Sequence, residues 1–148
     1  MYKQEFPYQA NATTTSEKLF KNFCAGYKNR DLPYLLSLFT QNATLWGTGI
    51  DEYRYGLKAL ETQLIRAWSQ SEQSEIDIIN FNPTTEHAFW ASANCSAKLW
   101  IDGQHYILEH LRITICIDEE DHAWKIAHMH ASFPDFRNPR NASFPILS

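Results

Sequence analysis

"WKIAHMHASFP", residues 124–134, alternates as a β-strand does and sets His128 and His130 two residues apart, so both imidazoles project from one side of a sheet. Which side that is decides what the domain encloses. Sorting the neighbouring runs by parity separates two faces. One carries Phe89, Ala91, Ala93, Cys95, Ala97 and Leu99, then Ile107, Glu109, Leu111, Ile113, Ile115 and Ile117, then Ala127, Met129, Ala131 and Phe133, and is almost wholly apolar. The other carries Trp90, Trp100, His110, Arg112, Cys116, Trp124, Ile126, His128 and His130, a mixture of aromatic and polar groups. Removing apolar surface from water is worth about 25 cal/mol per Å2, so the first face is expected to be covered and the histidine pair to lie on the sheet's other side.

Working outward from this strand, residues 73–82, 86–101, 104–118 and 123–133 read as strands separated by turns at "NPTT" (82–85), "DG" (102–103) and "DEEDH" (118–122). The first half is helical in period. Thr14 and Glu17 have capping-box spacing ahead of Leu19, Phe20, Phe23 and Tyr27 on one face; Asp31 is placed to cap a short helix with Pro33 in its first turn; and Leu57, Leu60, Leu64 and Trp68 form a third stripe. "ATLWGTG" (43–49) reads as a strand ending in a glycine turn. The expected organisation is an irregular arm over 1–14, one α+β domain over 15–134 with helices covering one face of a curved sheet, and an extended tail over 135–148 punctuated by Pro139 and Pro145.

Composition narrows the function. The chain has 148 residues, enough for one domain with a substantial core, and a net charge of −4 from 17 acidic against 13 basic residues. No basic stripe follows a phosphate backbone, so nucleic acid is not an expected partner. No run is long and apolar enough to span a membrane, and the start has no secretory pattern, which gives a cytoplasmic expectation. Cys24, Cys95 and Cys116 are widely spaced and sit in apolar periodic segments, as reduced core thiols do, rather than in the close pairs that zinc requires. No cofactor fingerprint occurs, and neither a metal nor a cofactor is expected.

"LWGTGIDEYRYG" (45–56) followed by a helix, together with the terminal "WKIAHMHASFP", resembles the SnoaL-like branch of the nuclear-transport-factor-2-like superfamily over about residues 15–134. The last strand is also similar to the W-x-x-x-H-x-H-x-S ending of the association domain of calcium/calmodulin-dependent kinases. The resemblance implies a cone-shaped barrel of about three helices packed in a strongly bent antiparallel sheet, a pocket between them, and frequent dimerisation through the sheet's outer face. Members include isomerases, cyclases, dehydratases, sensory modules and structural assemblers, so the fold does not select the activity.

Candidate site residues follow. Glu109 is the ionisable residue among the inward positions of its strand; buried, it could exchange a proton near neutral pH, whereas at a wet rim or beside a base it would be structural. Trp46, Asp51, Glu52 and Tyr53 cluster where the chain enters the third helix, an aromatic pair with nearby carboxylates that suits a small organic ligand through Trp46, Tyr53 and Asp51, although Asp51 and Glu52 also read as helix N-terminal acids and Trp46 as core. Tyr27 and Trp68 on helical stripes and Met129 on the last strand are further ligand contacts. The histidine pair could hold a metal, act catalytically or lie in an interface; a metal would need a third ligand such as His110, and Arg112 would oppose it, so an interface of Trp90, Trp100, His110, Arg112, Trp124, His128 and His130 that closes a homodimer is the preferred reading. Three functions compete: a binding protein for a small organic molecule, a cofactor-independent isomerase, cyclase or dehydratase working through Glu109, and a structural scaffold. Binding is preferred, because only one proton carrier is visibly placed.

Overall fold

Alternation and helical period translate into a six-stranded sheet wrapped around three helices. The computed structural model describes residues 5–138 and 140–144, the side chains of 5–14 excepted. The elements are α1 (Glu5–Asn29), α2 (Leu32–Ser37), β1 (Phe39–Trp46), β2 (Tyr53–Tyr55), α3 (Leu57–Ser69), β3 (Gln73–Phe81), β4 (Trp90–Ile101), β5 (Gln104–Glu120) and β6 (Ala123–Ser132). The expected arm is therefore helix from Glu5 onward, and Thr14 lies inside α1 instead of capping it. Pro7 falls in the first turn of that helix, where its missing N–H would have no intrahelical partner anyway. Residues 1–4, and Pro139 and Pro145 of the expected tail, lie outside the described residues.

The short helix starts as its sequence demands: the Asp31 side chain accepts from the Tyr34 N–H at 3.2 Å. Strand order is β2-β1-β6-β5-β4-β3. All neighbours are antiparallel except β1 and β6, which run parallel with Thr44 opposite His128 and Trp46 opposite His130. The sheet is thus mixed, a departure from the all-antiparallel expectation, because β1 precedes the meander in sequence and joins it only at its last strand. Two tight turns hold the long hairpins. Asp102 and Gly103 take φ of 52° and 77°, and Asp121 and His122 take 52° and 66°, the left-handed pairs that match strand twist in two-residue connections.

Phe20, Leu35, Ile113, Ile115 and Ile126 are the largest fully buried side chains and mark the core between helices and sheet. The polar atoms that enter it are tied down: Ser16 Oγ donates to the His87 carbonyl at 2.9 Å and fixes α1 to the segment before β4. Arg30, at φ 53° after α1, donates to the carbonyls of Trp68 and Ser71, each at 2.9 Å, and so closes the C-terminal end of α3. No helix among the described residues is long and apolar enough to cross a membrane.

Of the sheet's register shifts, the two that involve β5 reset the phase of residues read from alternation. Between β4 and β5, Cys95 pairs with Leu111 but Ala97 pairs with Leu108, so β5 carries one residue more than its partner, at a point where His110 takes φ 64°. Between β5 and β6, Cys116 pairs with His128 but Ile117 pairs with Ile126, leaving Ala127 extra. Unbroken alternation places Ile107 and Glu109 inside, and Trp124 and Ile126 outside. Instead Ile107 and Glu109 are exposed, Ile126 is fully buried, and Trp124 packs against the core.

Candidate functional site

The helices and the inner face of the sheet leave a cavity of about 320 Å3, walled by Phe23 and Tyr27 of α1, Leu60, Gln63 and Leu64 of α3, Ala97 and Leu99 of β4, Leu108, Leu111 and Ile113 of β5, and Met129 and Ala131 of β6. Most of that wall is apolar. Its polar exceptions, besides the Tyr27 phenol, are Thr48, Glu52 and Gln63 at the entry to α3 and on that helix, and Gln70, Ser71, Ser74 and Glu75 between the end of α3 and the start of β3.

Glu52 owes its position to the glycines before it. The Gly47 N–H donates to the Glu52 carbonyl at 2.7 Å, and the Gly49 N–H donates to Glu52 Oε1 at 2.8 Å, which folds the loop back on itself. A Cβ at Gly47 would stand 2.7 Å from Glu52 Oε1, and one at Gly49 would stand 2.9 Å from Glu52 Cδ. The two glycines therefore make room for this carboxylate. Its other oxygen accepts from Gln63 Nε2 at 2.9 Å. Gln63 is only 8% exposed, and its Oε1 is buried with no hydrogen-bond partner among the described residues. Glu75, by contrast, is balanced by Lys28 at 3.5 Å and Lys98 at 3.8 Å.

Tyr27 faces the cavity from α1 with its ring 5.9 Å from that of Trp68. Burial raises its phenol above the ordinary range, and the Glu52 charge adds to this, against the opposing influence of the neighbouring Ser74 and Arg30. It stays protonated at neutral pH. Cys24 and Cys95 are pushed up to about 12, mainly by burial, and are inert thiols; Cys116 is exposed, so the core-thiol expectation does not extend to it.

Of the residues singled out from sequence, Tyr27 and Met129 line the cavity, and Trp68 is buried behind Tyr27. Glu109 does not; the bulge at His110 puts it on the exposed side, and the inward carboxylate expected there is corrected. Trp46 and Tyr53 also lie off the cavity wall, half exposed, with their rings tilted against each other and their centroids 4.6 Å apart, because the register that points Leu45 inward turns Trp46 and its partner Tyr53 away. Asp51 is exposed and meets Arg66 at 4.0 Å. Glu52, one of the two carboxylates on the wall, was legible as a member of the acidic and aromatic cluster at the entry to α3, readable either as a ligand contact or as a helix N-terminal acid, and Gln63 was hidden by its polarity on an otherwise apolar stripe. The spacing that could have revealed Gln63 is its position three residues after Leu60.

His128 and His130 are absent from the cavity wall. His128 Nδ1 lies 2.7 Å from Thr44 Oγ1 of the parallel β1, and its pKa is lowered by burial and by the neighbouring His130. Trp100 stacks on His105 at 4.4 Å, and Trp90 on His87 at 4.6 Å. His110 and Arg112 border a hollow closed by the chain's own Pro134, Phe136 and Asn138. Among the described residues no group of three or more His, Cys, Asp or Glu is arranged to hold a metal ion.

A family model for the SnoaL-like domain matches residues 17–135. No curated protein matches the sequence. Similar solved structures include an NTF2-like protein of unknown function from Pseudomonas putida KT2440, with 15% identity, TM-score 0.68, and coverage of 94% of this chain and 98% of the other. A Xanthomonas campestris protein named for the calcium/calmodulin dependent protein kinase II association domain has 16% identity and TM-score 0.66, covering 80% and 84%. An LEH-like epoxide hydrolase of M. tuberculosis has 12% identity and TM-score 0.62, covering 82% and 84%. At these identities the likeness is one of fold.

Proposed function

The chain belongs to the SnoaL-like family of nuclear-transport-factor-2-like folds, and from that premise we propose that it is a cytoplasmic binding protein that holds one small organic molecule in the apolar pocket of each subunit. The observation that carries this reading is the cavity of about 320 Å3, whose apolar wall is interrupted on one side by the hydrogen-bonded pair Glu52 and Gln63. A pocket of that size with few, clustered polar groups is the usual form of a small-molecule site. The test uses 2-naphthol followed by NMR. Saturable binding to the wild-type chain is expected, lost in Ala97→Trp, which fills the cavity from β4, while the variant remains folded by circular dichroism. If 2-naphthol does not bind the wild-type chain, or binds Ala97→Trp equally well, the pocket reading fails and the scaffold reading gains.

A catalytic second reading, an isomerase, cyclase or dehydratase, is favoured by one observation: a carboxylate, Glu52, stands on the cavity wall and shares that wall with the protonated Tyr27 phenol. Its signature would be turnover lost in Glu52→Gln with 2-naphthol affinity retained.

We also propose that the subunit pairs with a second copy through the outer face of the sheet. Trp90, Trp100, His128 and His130 supply the aromatic and hydrogen-bonding mixture of interface cores, and the exposed Ile107, opposite Lys98 on the same face, extends it. Trp124, which packs on the core, is removed from that surface. The double variant Ile107→Lys, His130→Glu is expected to sediment as a monomer where the parent chain sediments as a dimer; an unchanged mass would remove the interface.

A further inference from the structure

Resting on the binding reading above, we infer that the pocket selects for an uncharged, hydroxyl-bearing apolar molecule and against a carboxylic acid, and that Gln63 Oε1 is the atom that accepts the ligand's hydroxyl proton. The inference begins with hydrogen-bond capacity. A glutamine side chain has two N–H donors and one carbonyl oxygen with two lone pairs. Gln63 commits Nε2 to Glu52 Oε2 at 2.9 Å. That contact fixes which way round the amide lies, since the reversed amide would set its oxygen against a carboxylate oxygen. Gln63 lines the cavity, and its carbonyl oxygen is buried without a partner among the described residues. A buried acceptor of this kind favours any occupant that brings it a proton donor.

Charge sets the second half of the preference. Two carboxylates border the cavity. Glu75 is already matched by Lys28 and Lys98. Glu52 has no cation within 4.0 Å among the described residues, because Arg54 spends its guanidinium on the Asp51 and Tyr53 carbonyls and Arg66 reaches only Asp51. Arg30, at the C-terminal end of α3, is likewise held by the Trp68 and Ser71 carbonyls. An anionic ligand would meet a carboxylate with no cation beside it among the described residues, and a neutral donor would not be repelled.

Three probes of one shape separate these contributions: 2-naphthol, which donates; 2-methoxynaphthalene, which keeps the oxygen and loses the donor; and 2-naphthoate, which carries the negative charge. The wild-type chain is expected to bind 2-naphthol about tenfold more tightly than the methyl ether, the worth of one good hydrogen bond, and to show no saturable binding of 2-naphthoate. In Gln63→Met the two neutral probes should bind alike, and Glu52→Gln should admit 2-naphthoate. Equal affinity of the two neutral probes for the wild-type chain would overturn the donor preference while leaving the pocket intact, and tight binding of 2-naphthoate would overturn the charge preference. If none of the three binds, the pocket reading itself falls. The wild-type comparison stands even if a variant fails to fold.

Discussion

Truncating Ile126 to alanine should lower the free energy of unfolding by about 2–5 kcal/mol, the range for a buried aliphatic side chain whose cavity cannot fully collapse. Ile126 has no exposed surface, and its N–H donates to the Leu38 carbonyl at 2.7 Å, so neither the side chain nor its backbone has much freedom to adjust. Urea denaturation is the measurement, with Lys125→Ala as the neighbour expected to change stability by no more than about 0.5 kcal/mol. The comparison tests the phase of β6 directly. If the strand alternated without a break from Ala131 back to Ala123, Ile126 would stand on the outer face and its truncation would cost little. A small effect would therefore remove the bulge at Ala127, and with it the placement of Trp124 on the core.

Arg30→Ala should cost about 2–3 kcal/mol, from the loss of charge-assisted hydrogen bonds to carbonyls that α3 cannot satisfy itself. Both carbonyl contacts are 2.9 Å, and a third, longer one reaches Ser71 Oγ at 3.3 Å. The position is informative because its backbone conformation, φ 53°, is one that glycine adopts freely and that costs other residues about 1 kcal/mol or more. Arg30→Gly loses the same guanidinium but relieves the backbone, so it should be less destabilising than Arg30→Ala by about 1 kcal/mol. Thermal or urea unfolding of both variants separates the two effects. Equal losses would mean that the backbone angle carries no cost, and no loss in either would mean that the clamp on α3 is not a source of stability.

Much of the architecture could be read before any coordinates because its signals are local. Asp31 and Pro33 announce a helix start, Asp102-Gly103 a hairpin, and Leu111, Ile113, Ile115 and Ile117 a buried stripe, and each does what its chemistry requires. Parity arguments fail where one residue is inserted into a ladder. A bulge has no composition of its own: His110 and Ala127 are unremarkable in sequence, yet each reverses the facing of every residue beyond it until the strand ends. That is why Glu109 and Ile107 read as inward and Ile126 as outward. The parallel contact of β1 with β6 was illegible for a different reason, since it joins segments more than eighty positions apart and neither carries a mark of its partner. The site was half legible. Apolar contributors such as Tyr27 and Met129 follow from stripes, but Glu52 is oriented by glycines whose purpose is apparent only when the volume their missing Cβ atoms leave is seen to be occupied.

The parallel pairing also has a temporal consequence. A nascent chain emerging from the ribosome presents β1 long before β6 exists, and β6 supplies Met129 and Ala131 to the cavity wall. Until the last strand is synthesised, β1 has only the three-residue β2 beside it and an open edge on the other flank, the condition in which chaperones or illicit strand partners compete for a segment. The cavity wall is therefore complete only once β6 has emerged and docked beside β1.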